Sequence, residues 1–184
     1  IARAVAALSP ARRSSRVQPS ARGCFDEIAE ASKPAVRAAI RGLLSSRTRG
    51  AALRVMARVQ PEQAWIFRAM LYNTVTPTGL RAGEKENVIP STAEAVVDGR
   101  VLPGVTRAEF LKEVRWVVGR GIEIKVIQWG EGGEVGADSE MFETIKDVTA
   151  EMDPGAKAIP WLNVGFTDAA YLRKLGVKCY GYYP

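Results

Sequence analysis

The chain has 184 residues, 47% hydrophobic and 25% charged, with a formal net charge of +6, a composition that fits a globular protein and excludes a disordered one. No apolar run approaches the roughly 20 residues needed to span a bilayer. Cys24 and Cys179 stand alone without C-x-x-C spacing, which fits a reducing, cytoplasmic setting better than a disulfide framework or a thiolate metal site.

Residues 1–23 carry Arg3, Arg12, Arg13, Arg16 and Arg22 and no acid. That pattern reads either as an organelle transit peptide or as the end of a helix over Ala2 to Leu8, broken at Pro10 and followed by an exposed basic loop. Pro34 suits the first turn of a helix in which Val36, Ala39, Ile40, Leu43 and Leu44 form the apolar face and Arg37 and Arg41 the other. A second helix, from Pro61 to Tyr72, places Trp65, Ala69 and Tyr72 on one face. Twelve basic and three acidic side chains fall in residues 1–60, a local balance of +9 against −3 for the remainder. With Phe25 the only aromatic there, this reads as a solvated helical face, or as attraction of anionic substrates, rather than a specific nucleic-acid surface.

Residues 73–104 hold the most specific chemistry. Ala93, Ala95 and Val97 alternate with Glu94, Val96 and Asp98 as a strand with two unlike faces, and Arg100 shares the face of Glu94 and Asp98. Asn87, ahead of Val88, Ile89 and Pro90, is a planar amide held by a stiff turn, and an amide and a guanidinium on adjacent strands can converge on one carboxylate. Without further information, Arg100 is a strand arginine paired with Asp98 or Glu94, and Asn87 a turn residue.

Thr106 and Glu109 spell a capping box, with Val105 and Phe110 placed as a hydrophobic staple. The helix runs to about Val118 on a stripe of Leu111, Val114, Val117 and Val118, ended by Gly119 and Gly121. Ile122, Ile124 and Val126 then alternate as a strand. The stretch GEGGEVG at 130–136 resembles a nucleotide loop only superficially, because its glutamates repel phosphate, and it reads as a hinge. Asp138 or Ser139 caps a helix that buries Met141, Phe142, Ile145 and Val148, and Asp153-Pro154-Gly155 turns the chain. A strand over Ala158 to Leu162, a helix capped by Thr167 and ended by Gly176, and a strand from Val177 to Tyr180 complete the reading.

The NVIP segment (Asn87 to Pro90), the D-x-R-x-LPG pattern (Asp98 to Gly104) and the stretch from Gly165 to Pro184, with its GFTDA loop, resemble the zinc-dependent aminoacylase and carboxypeptidase family, metallopeptidase family twenty. Phe166 stands where many members have a second glycine. The resemblance implies an α/β fragment, cut at both ends. It comprises an α+β lid of ferredoxin-like β-α-β-β-α-β type lacking its first strand (1–128, with a helical insertion at about 24–72), a hinge (129–137), and a late part of a zinc-hydrolase catalytic domain (138–184). It implies a parent enzyme with two zinc ions that cleaves a peptide or N-acyl amino acid near a free carboxylate and forms a homodimer through the lid, with no specific nucleic-acid or membrane partner. Substrate-binding roles pass to Asn87, Arg100, Gly165 and Thr167. The chain contains no histidine, and the family's metal sites use histidines, so no metal or catalytic residue is assigned here, Asp168 included, and the chain alone is expected to be inactive. The alternatives are a stand-alone lid-type dimerisation module and a basic nucleic-acid-binding protein.

Overall fold

A computed structural model describes residues 1–8 and 14–183. Pro10, Arg12 and Arg13, part of the expected basic loop, lie outside the described residues. The helices are α1 (Ala2–Leu8), α2 (Pro19–Ala31), α3 (Pro34–Leu44), α4 (Arg49–Val59), α5 (Pro61–Leu71), α6 (Arg107–Val118), α7 (Glu140–Met152) and α8 (Ala169–Leu172), and the strands are β1 (Thr74–Ala82) and β2 (Ala93–Arg100). The architecture is α+β. Two compact units form, one from residues 1–14 and 72–132 and the other from 15–71 and 133–184. The chain passes between them at Gly132 and Gly133, and the helices of 15–71 cluster with the C-terminal segment.

In the first unit β1 and β2 form an antiparallel hairpin, from Thr74 opposite Arg100 to Ala82 opposite Ala93. Thr78 is an extra residue on β1, a bulge between the Pro77–Val97 and Gly79–Val96 pairs. Only the base of the hairpin is packed. Val75, Leu102, Val105 and Phe110 are buried, whereas Leu80, Val88 and Ile89 toward the tip are exposed. Helix α6 starts at the expected capping box: the Glu109 amide donates to Thr106 Oγ1 (3.2 Å) and the Thr106 amide to Glu109 Oε2 (2.8 Å). Phe110 lies so close over Gly99 that a Cβ there would sit 2.6 Å from the ring. The expected stripe of Leu111, Val114, Val117 and Val118 is half-buried.

Ile122 to Val126 forms no ladder, and the described residues hold one two-stranded sheet. In a ferredoxin-like sheet the last strand pairs with the first, and no such pairing forms among the described residues.

In the second unit α2 to α5 pack each against the next. Their core is Cys24, Phe25, Leu43, Met70 and Leu71, with Phe25 and Phe67 edge to face at 5.0 Å. Two arginines close helix ends here. Arg37, expected on the polar face, instead donates to the carbonyls of Ala29 (3.0 Å), Glu30 (3.2 Å) and Ser32 (3.1 Å) at the end of α2. The buried Arg49 donates to Leu43 (2.7 Å) and Leu44 (3.2 Å) at the end of α3. Cations there oppose the negative end of the helix dipole and satisfy its orphan carbonyls. Of the face expected for the Pro61 helix, Ala69 is buried and Tyr72 half-buried, but Trp65 is 65% exposed, and Ala64, Phe67 and Met70 also turn inward.

Ser139 is the cap of α7, accepting from the Phe142 amide at 3.2 Å. Its hydroxyl meets that of Tyr180 at 2.6 Å, and the Tyr180 hydroxyl donates to the Gly136 carbonyl. Phe142 is buried as expected, while Met141 and Val148 are exposed. The turn at 153–155 forms, closed by Ala156 N–H to Asp153 O (2.9 Å) with Gly155 at φ 110°. Ala158 to Leu162 and Val177 to Tyr180 run without a ladder. Glu134, inside the glycine-rich stretch, accepts from the amide (3.2 Å) and hydroxyl of Ser20 in the first turn of α2, an acid where the helix dipole favours one.

Candidate functional site

Arg100 is the last residue of β2, where alternation puts it on the face of Asp98. Its Nε donates to Asp98 Oδ2 at 2.7 Å, with both side chains nearly half exposed. An exposed pair of this kind is worth about 1 kcal/mol or less. Because Asp98 takes the Nε, the Nη1/Nη2 edge is left for a second, bidentate carboxylate partner.

Arg100 owes its place to Asn73, a residue to which the sequence reading gave no role. The side chain of Asn73 is 2% exposed. It accepts from the Leu102 amide (3.0 Å) and donates to Glu113 Oε2 (3.1 Å), tying the start of β1 to the exit of β2 and to α6. A buried amide with both halves satisfied leaves no periodic signature in the sequence. The only hint was that Asn73 stands where an apolar residue would be ordinary.

Asn87 occupies the loop 83–92, all of it exposed, with a local turn from Val88 N–H to Lys85 O (3.3 Å). Gly83 enters this loop at φ 76°, in the left-handed region that a side chain would disfavour. Arg100 lies seven positions along β2 from Ala93, where the ladder ends, or roughly 23 Å at about 3.3 Å per residue. The expected convergence of Asn87 and Arg100 within the hairpin is therefore not formed: they occupy its opposite ends.

Gly165 and Thr167 lie in an exposed loop of the second unit. The Gly165 amide donates to Asn163 Oδ1 (2.9 Å). Thr167 does not cap the next helix through its side chain; its carbonyl accepts from Ala170 N–H (3.1 Å), and Asp168 holds the cap position. That helix is a short turn of α8 followed by a 3-10 turn at Arg173–Leu175, ended by Gly176 at φ 79°.

These residues do not fit a zinc ion. No group of three or more His, Cys, Asp or Glu side chains converges among the described residues. Burial also pushes the Cys24 thiol up to about 12, far from the thiolate a metal needs. Both cysteines are free.

Residues 27–121 match the Peptidase dimerisation domain family. The chain is 28% identical over 102 residues to Aminoacylase-1 of Dictyostelium discoideum, an alignment covering 53% of this chain and 24% of that protein. It is 27% identical over 127 residues to the N-fatty-acyl-amino acid synthase/hydrolase PM20D1 of Homo sapiens, covering 65% of this chain and 25% of that protein. The chain thus spans about a quarter of the length of these curated relatives. No solved structure matches. With half of its length carrying the family's pattern, the chain belongs to the M20 peptidase dimerisation domain family.

Proposed function

We propose that this chain is the lid and substrate-recognition part of an M20 amidohydrolase that cleaves a peptide or an N-acyl amino acid beside a free carboxylate. Arg100 grips that carboxylate through its Nη edge, and Asn87, at the other end of the hairpin, hydrogen-bonds the substrate or the developing oxyanion of the second site in the lid-paired dimer. Gly165 and Thr167, in the loop that follows residue 162, are further substrate-binding residues carried by the second unit. Two zinc ions in the parent enzyme, whose ligands are not among these residues, would supply the activated water, and residues 129–137 act as the hinge between lid and catalytic domain. The lid pairs with a second copy, and the protein works in a reducing, cytoplasmic setting.

The single observation that carries this reading is the family match over the hairpin, together with an exposed arginine at its base whose terminal nitrogens remain open. Loss of one charge-assisted bidentate pair is worth several kcal/mol in a desolvated site and much less in an open one. In the whole enzyme, Arg100→Ala is expected to raise KM for carboxylate substrates by about tenfold to a hundredfold, with a smaller effect on substrates whose carboxylate is amidated. Equal losses on both substrate types would refute the carboxylate role.

The stand-alone dimerisation module remains the second reading, favoured by the exposed apolar residues Leu80, Val88, Ile89 and Val96 along the hairpin. Sedimentation of the chain alone tests dimerisation, and zinc titration with an amidase assay separates the two readings.

A further inference from the structure

We propose that the helical hairpin α4–α5 adsorbs to an anionic membrane surface. Between Glu30 and Glu62 the chain holds seven basic residues and no acid. Arg37 and Arg49 are turned inward to close helix ends, which leaves Lys33, Arg41, Arg47, Arg54 and Arg58 exposed. On α4, Arg54 and Arg58 are one helical turn apart, as are Val55 and Val59 beside them, and the buried Leu53 lies on the opposite side. Val55 is 56% exposed and Val59 76% exposed. One turn into α5, Trp65 is exposed on a stripe with Glu62 and Arg68, opposite the buried Ala64 and Phe67.

Aliphatic side chains beside arginines on α4, and an exposed tryptophan on the helix that packs against it, match the chemistry of the headgroup and acyl boundary. The guanidinium groups meet lipid phosphate and serine carboxylate, while valine and indole enter the apolar layer beneath. Nucleic acid would meet the same charges and could stack on Trp65, but it would leave the exposed Val55 and Val59 in water. Among the described residues no helix is long and apolar enough to cross a membrane, so the contact is adsorption. Glu62 is the one acid on the exposed stripes of α4 and α5 and opposes binding. The proposal departs from the sequence expectation of no membrane partner and is independent of the hydrolase reading.

The test is co-sedimentation of the chain with vesicles of phosphatidylcholine containing about a third phosphatidylserine, beside pure phosphatidylcholine vesicles and a DNA duplex. Binding to the anionic vesicles and not to the neutral ones is expected. Neutralising two surface arginines, as Arg54→Gln with Arg58→Gln, should weaken it about 25-fold, each basic residue near such a surface contributing about fivefold. Val55→Ser with Val59→Ser should weaken binding while leaving its salt dependence. In the unmodified chain, brominated anionic lipid should quench tryptophan fluorescence, and Trp65→Phe should remove that quenching. Absence of quenching in the unmodified chain overturns the proposal whatever the variants do. So does binding to the duplex but not to vesicles, or vesicle binding indifferent to the arginine pair.

Discussion

Replacing Asn73 by alanine is the perturbation that most directly tests how the base of the hairpin is held. The side chain makes two hydrogen bonds in a site closed to water, one from the Leu102 amide and one to the Glu113 carboxylate. A neutral bond is worth about 1 kcal/mol net, one to a charged group about 1.5–3, and a buried amide left without an acceptor costs about 1–3. Glu113 is only half-buried and recovers solvation, so the sum for the first unit comes to about 2–4 kcal/mol. The assay is urea unfolding followed by Trp116 and Trp129, both in that unit, in a background where Trp65 and Trp161 are phenylalanine, combined with amide exchange at Leu102. The Leu102 amide should lose most of its protection. Asn73→Asp should fare no better than alanine, because it keeps the acceptor but sets a second carboxylate against Glu113. A loss below about 0.5 kcal/mol, with Leu102 still protected, would refute the idea that this amide fastens the strand bearing Arg100.

Gly99→Ala would drive a methyl into the Phe110 ring and should cost about 1–3 kcal/mol, with Phe110→Leu in the same chain recovering part of the loss in thermal unfolding. Arg49→Met should cost about 3–5 kcal/mol in the second unit by uncapping the end of α3, whereas Arg47→Met nearby on the surface should change stability by less than about 0.5; equal effects would contradict the capping role. Cys24 has its folded thiol raised from 9.0 to about 12 by burial, so the neutral form is favoured on folding. The stability this gives is complete below pH 9 and is lost as pH rises toward 12. Alkylation at pH 8 should label Cys179 well before Cys24, and a reversal of that order would show the helical core to open readily.

Legibility in the sequence followed the range of the forces involved. The α6 capping box, the Ser139 cap and the 153–155 turn are set by residues within three or four positions of one another, and each stands where local chemistry puts it. Helix α4 gave no readable signal, because its buried side depends on Arg49, a residue that counts as polar in any periodicity until its carbonyl partners on α3 are known. Helical spacing puts Trp65 on one face with Ala69 and Tyr72, but the packed side of α5 is centred on Ala64, Phe67 and Met70, which leaves Trp65 exposed. Strands at 122–126, 158–162 and 177–180 have the alternation or β-branched content of strands, but a ladder needs a second strand and no local pattern supplies one. At the candidate site, the Arg100–Asp98 pair was legible from alternation. The separation of Asn87 from Arg100 was not, because it depends on where the ladder ends.

The bulge at Thr78 gives the hairpin an adjustable aim. One surplus residue on β1 bends the strand and increases the local twist, so the direction in which loop 83–92 projects from its anchored base depends on an exposed residue whose hydroxyl donates to the Val96 carbonyl (3.4 Å). Deleting Thr78 would straighten the ladder and swing the Asn87 loop to a new bearing, with Arg100 and its Asn73 anchorage left in place. Indels at this single position are thus a route by which the bearing of the Asn87 loop can change relative to Arg100 without altering either residue.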